Sequence, residues 1–274
     1  MASCHNIRTE LGMRIHFSLN VDIDSKDICT RIKHLSLLFN FPKEKLYEKY
    51  NNKYVIIPFG TNCFARTLTS INGIKPYKKD GEKTCPFDQV CSSFEKNVEL
   101  FRNDFEDFFE NLELGEREVD NKNEIFYKNT KYKIDFIHEP KCSLEEFKDI
   151  YQRRIKNFYN YLNDKEKLPI FLITHCAYPK KEVVEDFINE LKRYRKDFCI
   201  IIFNTNSWRV KWKLEQVRVV NFKSNKCFNK MGSTWVSQLK GLTNIRARII
   251  NNQYASHLFE IIDKEMNNFC DSVE

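Results

Sequence analysis

Three continuous apolar runs constrain the fold of this chain more than any other feature of its sequence. They are Tyr54–Ile57, Pro169–Ile173 and Phe198–Phe203, and each has the length of a strand that is buried on both faces. Apolar residues at helical spacing, from Val184 to Tyr194, separate the second run from the third. A helical crossover favours parallel pairing. The sequence therefore predicts an α/β fold: a mixed, mostly parallel sheet with helices on both faces.

The first 50 residues differ from the remainder of the chain. Alternating apolar residues between Met13 and Val21 predict a half-buried strand, and Ser25 could cap a helix that extends to Phe39. We predict an N-terminal appendage over residues 1–50 and a catalytic α/β domain over residues 51–274. Within that domain, the charged segment Lys75–Thr84 reads as a polar loop.

Composition excludes several classes of protein. No run is apolar and long enough to cross a bilayer, and the first residues lack the basic and apolar segments of a signal peptide. The 10 cysteines are scattered, without a Cys-x-x-Cys pair or the ligand spacing of a zinc site. We expect reduced thiols in a cytoplasmic protein that contacts no membrane and needs neither metal nor cofactor.

The segment Pro58–Cys63 reads Pro-Phe-Gly-Thr-Asn-Cys, between an apolar strand and a helical pattern. A tight turn at Gly60 would deliver Cys63 to the first turn of that helix. Unpaired backbone N–H groups at a helix start stabilise a thiolate, the nucleophilic form of cysteine. The sequence therefore predicts Cys63 as a nucleophile at a strand–helix turn. Its backbone N–H, with the help of Asn62, is the predicted oxyanion donor.

Polar side chains follow the ends of other predicted strands. His138 follows the strand Tyr132–Ile137, His175 follows the second apolar run, and Asn204 follows the third. In open α/β sheets, binding sites form at the carboxyl ends of the strands. A cysteine nucleophile needs a histidine that accepts and returns its proton. His138 is the predicted base and His175 the alternative.

The chain resembles a family of papain-like cysteine peptidases of otherwise unknown function in bacteria and viruses. The resemblance spans roughly Tyr54 to Lys240 and rests on short blocks in a matching order. The first block, Pro58–Cys63, is similar to the family's Ser-Leu-Gly-x-x-Cys. The other blocks are Pro86-Phe87-Asp88, Leu100–Phe105, a strand ending at His138, and Arg153-Arg154-Ile155.

The resemblance implies a third catalytic residue that orients the histidine. Its Pro-Phe-Asp motif points to Asp88, whereas the papain-like order of Cys, His and then Asn or Asp points to Asn204. Two positions depart from the family pattern, because Gln89 replaces a Trp and Glu139 replaces an Asp. A papain-like enzyme would also have an α+β fold with an antiparallel sheet, which is the alternative to the α/β prediction.

Together these features predict a cysteine hydrolase, either a peptidase or an amidase, or an acyltransferase, that acts through a thioester on a peptide, protein or small amide. The alternative function is a non-catalytic basic module. The net charge of +7 and the segment Arg209–Lys213, with Trp212 inside it, would then engage an acidic protein or nucleic acid. Composition rich in Lys and Asn suggests an AT-rich genome such as that of a virus or a parasite, and for a viral protein the host cytoplasm is the predicted location.

Overall fold

The computed structural model describes residues 7–8, 14–15, 45–60, 63–119, 122–139, 142–174, 180–204, 210–221 and 245–273. Near the N-terminus, strands β1 (Ile7–Arg8) and β2 (Arg14–Ile15) form an antiparallel pair. The strand predicted between Met13 and Val21 is thus described only at β2. The helix predicted from Ser25 lies outside the described residues.

The remaining described elements include six α-helices and seven strands. The helices are α1 (Leu46–Lys49), α2 (Phe64–Ile71), α3 (Phe94–Arg102), α4 (Leu144–Asn163), α5 (Lys181–Lys192) and α6 (Ile245–Val273). The strands are β3 (Tyr54–Pro58), β4 (Leu112–Val119), β5 (Lys122–Asn129), β6 (Ile134–Phe136), β7 (Leu168–Thr174), β8 (Cys199–Asn204) and β9 (Val217–Asn221).

The central sheet has the strand order β3-β7-β8-β9, and every neighbouring pair is parallel. Tyr54 lies opposite Leu168, and Ile170 lies opposite Cys199. Helix α5 makes the crossover from β7 to β8, as a parallel pair requires. The prediction of a mostly parallel sheet in a mixed α/β fold is confirmed.

Alternate residues of each strand enter two separate hydrophobic cores, one on each face of the sheet. Val55 and Ile57 of β3 pack with helices α3, α4 and α5 on one face. Tyr54 and Ile56 pack with α1, α2 and α6 on the other face. All seven residues of β7 are buried, which explains why its sequence is apolar throughout. The prediction of helices on both faces is confirmed.

Helix α1 belongs to this α/β body. Its residues Leu46 and Tyr47 are buried in the same core as Tyr54, although they precede the predicted domain boundary at residue 50. The body therefore includes residues on both sides of that boundary, and the division into an appendage and a catalytic domain stays a prediction.

A second sheet is antiparallel and has the order β4-β5-β6. The strand predicted before His138 belongs to this sheet and not to the parallel one. The antiparallel sheet is joined to the loop before α3 by an isolated bridge between Asp135 of β6 and Cys91. The papain-like alternative is not confirmed, because the sheet at the centre of the described fold is parallel and the antiparallel sheet is separate from it.

Candidate active site

Cys63 lies at the N-cap position of helix α2, after strand β3 ends at Pro58. Its carbonyl accepts a hydrogen bond of 3.1 Å from the N–H of Thr67, and the residue is half-buried. Backbone N–H groups of the first helical turn point toward this end of the helix and favour negative charge there. The predicted location of Cys63, at a strand–helix turn, is confirmed, and its role as a nucleophile stays a prediction.

Phe59 and Gly60, which follow strand β3, pack against the end of strand β7. A Cβ atom on Gly60 would lie 3.0 Å from both the backbone N and the backbone O of Thr174. On its other side, the Gly60 carbonyl accepts a hydrogen bond of 3.2 Å from Asn97 Nδ2 in α3. Phe59 is fully buried and its N–H bonds to the Leu172 carbonyl at 3.0 Å. Gly60 is needed here because only a residue without a side chain lets the two backbones approach so closely.

A Gly60→Ala variant should lower the free energy of unfolding by about 1–3 kcal/mol, the usual cost of forcing an extra methyl group into a packed site. Urea denaturation measures this loss. The closest atoms are backbone atoms, so removal of the Thr174 hydroxyl should not restore stability. A Gly60→Ala/Thr174→Ala variant as stable as Thr174→Ala alone would contradict this explanation.

Asp88 is fully buried and is held by cations. Its Oδ2 accepts a hydrogen bond of 2.9 Å from the Cys85 N–H and lies 3.5 Å from Lys75 Nζ and 3.8 Å from Arg66 Nε. Its Oδ1 is buried without a hydrogen-bond partner among the described residues. The contacts of this carboxylate are therefore with Lys75 and Arg66 and not with His138. They do not support the orienting role that the sequence motif suggested.

Glu82 completes this buried network, which we call the Lys75 network: Arg66, Lys75, Glu82 and Asp88. Glu82 lies 3.0 Å from Arg66 Nη2 and 3.1 Å from Lys75 Nζ, and Lys75 also donates to the Ile56 carbonyl at 2.9 Å. The network therefore connects strand β3, before Cys63, to Arg66 in the first turn of α2, after Cys63.

Within the Lys75 network, burial and ion pairing shift the pKa values of the side chains in opposite directions. Burial works to lower the pKa of Lys75, but the charges of Asp88 and Glu82 outweigh it and raise that pKa. Burial works to raise the pKa of Glu82, but Lys75 and Arg66 lower it overall. Burial and the neighbouring Glu82 raise the pKa of Asp88 despite both cations. Asp88 is thus the least well compensated charge of the network.

His138 lies in the turn after β6, and the residue as a whole is exposed to solvent. Loss of solvent around the ring lowers the pKa of its imidazole below the usual 6.5, and the charges of Arg117, Arg154 and Arg66 add to this effect. Glu139 acts in the opposite direction. A lowered pKa keeps the imidazole neutral at about pH 7, the form that can accept a proton.

Two electrostatic effects link the surroundings of Cys63 to those of His138. Arg66, whose charge reaches His138, lies one helical turn beyond Cys63. In addition, burial and then the charge of Cys63 raise the pKa of Cys91 to about 11. Cys91 exchanges two backbone hydrogen bonds with Asp135, of 3.0 and 2.8 Å, three residues before His138. The segment around Cys91 therefore connects the two predicted catalytic residues.

The other predicted site residues are described only in part. Asn204 ends β8 at the carboxyl edge of the parallel sheet, but the structure does not describe its side chain. Asn62 and His175 lie outside the described residues. The oxyanion role of Asn62, the alternative base and the alternative orienting residue all stay predictions.

Sequence reasoning missed Arg66, Lys75 and Glu82 as neighbours of the site. Arg66 carried a signal, because it lies at the i+3 position from Cys63 and therefore on the same face of α2. Lys75 and Glu82 carried none, because both lie in a segment that reads as a polar loop. The segment is a loop with a short 3-10 turn at Lys78–Asp80, as predicted, but these two side chains are each only about 2% exposed.

The basic segment near Trp212 borders a groove of about 670 Å³, lined by residues 210–215, 217–219 and Ile261. Lys211 and Lys213 are exposed, but the half-buried Trp212 packs against the core and Arg218 is paired with Glu265 at 2.7 Å. Trp212 thus lines the groove while it packs against the core, and the binding of nucleic acid here stays a prediction. Arg209 lies outside the described residues.

A scan against protein-family models, a search of curated proteins and a search of solved structures each found no match to this chain. The resemblance to papain-like cysteine peptidases therefore stays a prediction from the motifs. Each helix in the described ranges is too short or too polar to cross a membrane. Within those ranges, no three side chains of His, Cys, Asp or Glu are grouped so that they could hold a metal ion.

Proposed function

We propose that this chain is a cysteine-nucleophile hydrolase, a peptidase or amidase of the cytoplasm, in which Cys63 attacks the substrate and His138 serves as its base. The observation that carries the proposal is the position of Cys63 at the N-cap of α2, at the carboxyl end of β3. Binding sites form at this edge of parallel sheets, and a helix start favours the thiolate.

The proposed reaction begins when the Cys63 sulfur attacks the carbonyl carbon of an amide or ester. His138 accepts the thiol proton and returns it to the leaving amine or alcohol, which leaves a thioester on Cys63. Water then attacks the thioester, and His138 again accepts and returns a proton. Backbone N–H groups at the start of α2 would stabilise the oxyanion. If an amine attacks the thioester in place of water, the acyl group is transferred to that amine and the protein acts as an acyltransferase.

This proposal differs from a standard papain-like triad in the group that orients His138. Asp88 contacts Lys75 and Arg66, so its influence on the site would pass through Arg66, which reaches His138 by charge. Asn204 remains the alternative. The family resemblance supports a peptide, protein or small amide as substrate, and a viral source would place the enzyme in the host cytoplasm.

Thiol labelling tests the proposal without a known substrate. Iodoacetamide should alkylate Cys63 at least about 10-fold faster than any other described cysteine at about pH 7, because only an activated thiol is largely ionised there. Cys85 and Cys199 should react slowest, since burial raises the pKa of both thiols. Peptide mass spectrometry over a time course gives each rate separately.

The half-buried cysteines Cys91, Cys142 and Cys270 are the matched controls for accessibility. Burial also raises the pKa of Cys91 and Cys142, so accessibility alone should not make them reactive. Equal labelling of Cys63 and these three thiols would reject Cys63 as an activated nucleophile.

A further inference from the structure

Two arginine side chains hold the residues on either side of His138. Arg117 of strand β4 donates from Nη2 to the carbonyl of Ile137 at 3.1 Å. Arg154 of helix α4 donates from Nη2 to Glu139 Oε1 at 2.6 Å. Because the two arginines belong to different elements, the turn that carries His138 is fixed from two directions.

Two further contacts hold the side chain of Arg154 in place. Its guanidinium lies 4.6 Å from the centre of the Tyr151 ring and donates to Gln89 Oε1 at 3.1 Å. Tyr151 donates from its hydroxyl to Glu139 Oε2 at 3.1 Å. Helix α4 thus binds both carboxylate oxygens of Glu139, and the Arg154 and Glu139 side chains are each only 8% exposed.

Arg117 is fixed by an acid across the hairpin. Arg117 and Glu124 are paired residues of β4 and β5, and Glu124 Oε2 accepts from Arg117 Nε at 3.0 Å and from Nη2 at 2.6 Å. The same Nη2 reaches Ile137. The hairpin therefore directs the Arg117 guanidinium, which also pairs with Glu124, to the backbone beside His138.

We propose that Arg117 and Arg154 are positioning residues that orient His138 by holding Ile137 and Glu139, the residues on either side of it. This inference rests on the proposed function. It assigns to two flanking arginines the role that the motif gave to Asp88. Among the described residues, the imidazole makes no hydrogen bond. The charges that face it are those of Glu139, Arg117, Arg154 and Arg66.

An Arg117→Gln variant tests the hairpin side of this arrangement. The Arg117–Glu124 pair is about a third exposed, so the variant should fold. We expect the pKa of His138 to rise, because a charge that lowers it is removed. NMR titration of the imidazole measures this shift, with a His138→Gln variant to assign the signal. Alkylation of Cys63 should slow about 10- to 100-fold if the base is displaced.

A double variant tests the helix side, because Arg154→Met alone would leave Glu139 buried without its partner. Arg154→Met/Glu139→Gln removes both charges together. We expect kcat for an activated ester to fall about 10- to 100-fold with KM nearly unchanged, since only the orientation of the base is affected. The matched control is Arg153→Gln, which changes an exposed neighbour on the same helix.

The outcomes separate this inference from the proposed function. If the folded Arg117→Gln and Arg154→Met/Glu139→Gln variants retain the wild-type Cys63 alkylation rate and kcat, the arginines are structural and the inference is wrong, even where the loss of charge shifts the His138 titration. If Cys63 alkylation slows in Arg117→Gln but a Cys63→Ala variant retains full hydrolysis, the positioning of His138 stands and the proposed nucleophile is wrong.

Discussion

A Cys63→Ala variant is expected to lose hydrolysis of an activated ester by a factor of about 10³ or more. Loss of a nucleophile removes the covalent pathway entirely, and residual turnover then comes only from binding and oxyanion stabilisation. The rate of hydrolysis of a 4-nitrophenyl ester measures the change. Mass spectrometry of the quenched wild-type protein should show an acyl group on the peptide that contains Cys63.

The matched control for this variant is Cys270→Ala. Cys270 is also half-buried, but it lies near the end of α6 and has no place in the proposed chemistry. This variant should retain wild-type turnover. A Cys63→Ala protein that folds and hydrolyses the ester at the wild-type rate would reject the enzymatic proposal and favour a non-catalytic role for the chain.

The parallel sheet was predictable because its strands are buried on both faces. A strand such as β7, with all seven residues buried, must be apolar along its whole length and therefore stands out in the sequence. A glycine between a strand and a helical pattern likewise predicted a tight turn at Gly60. The structure supplied the reason, which is contact with Thr174.

The antiparallel sheet was harder to predict. Strand β4 contains Glu113, Glu116 and Glu118, and much of it is exposed, so burial imposes no apolar alternation on its sequence. Its pairing with β5 depends on contacts across the hairpin, such as Arg117 with Glu124. The position of His138 beside this hairpin, and not at the end of a parallel strand, could not be read from local periodicity.

The candidate site shows the same limit. The location of Cys63 depends on adjacent segments of the chain and was predicted correctly. The partners of Asp88 depend on Lys75, which lies 13 residues earlier in the sequence and carries no local signal of burial. Motifs indicate which residue types are present, whereas contacts between charged side chains are decided by the packing of distant segments.

Lys75→Met is expected to lower the free energy of unfolding by about 3–5 kcal/mol at about pH 7. Methionine retains much of the side-chain volume but removes the charge that faces Glu82 at 3.1 Å and Asp88 at 3.5 Å. The carboxylates of Glu82 and Asp88 are nearly inaccessible to water, so water cannot solvate their charges once Lys75 is removed. The variant also loses the hydrogen bond from Lys75 to Ile56 of strand β3.

The control is Lys96→Met. Lys96 pairs with Glu99 at 2.6 Å, but both side chains are a third or more exposed, so removal of this charge should cost less than about 1 kcal/mol. Urea denaturation of the two variants gives the comparison. A similar small loss for Lys75→Met would show that the buried charges of the Lys75 network are compensated in some other way.

The pH dependence of the loss identifies its electrostatic origin. Lys75 works to lower the pKa of both Glu82 and Asp88 in the folded protein, so its removal raises both values. As the pH falls, the folded variant therefore takes up protons before the folded wild-type protein does, which stabilises the variant relative to wild type. The deficit of Lys75→Met relative to wild type should therefore be largest at neutral pH and shrink in mild acid. A deficit that stays constant over this range would assign the loss to packing and to the bond with Ile56.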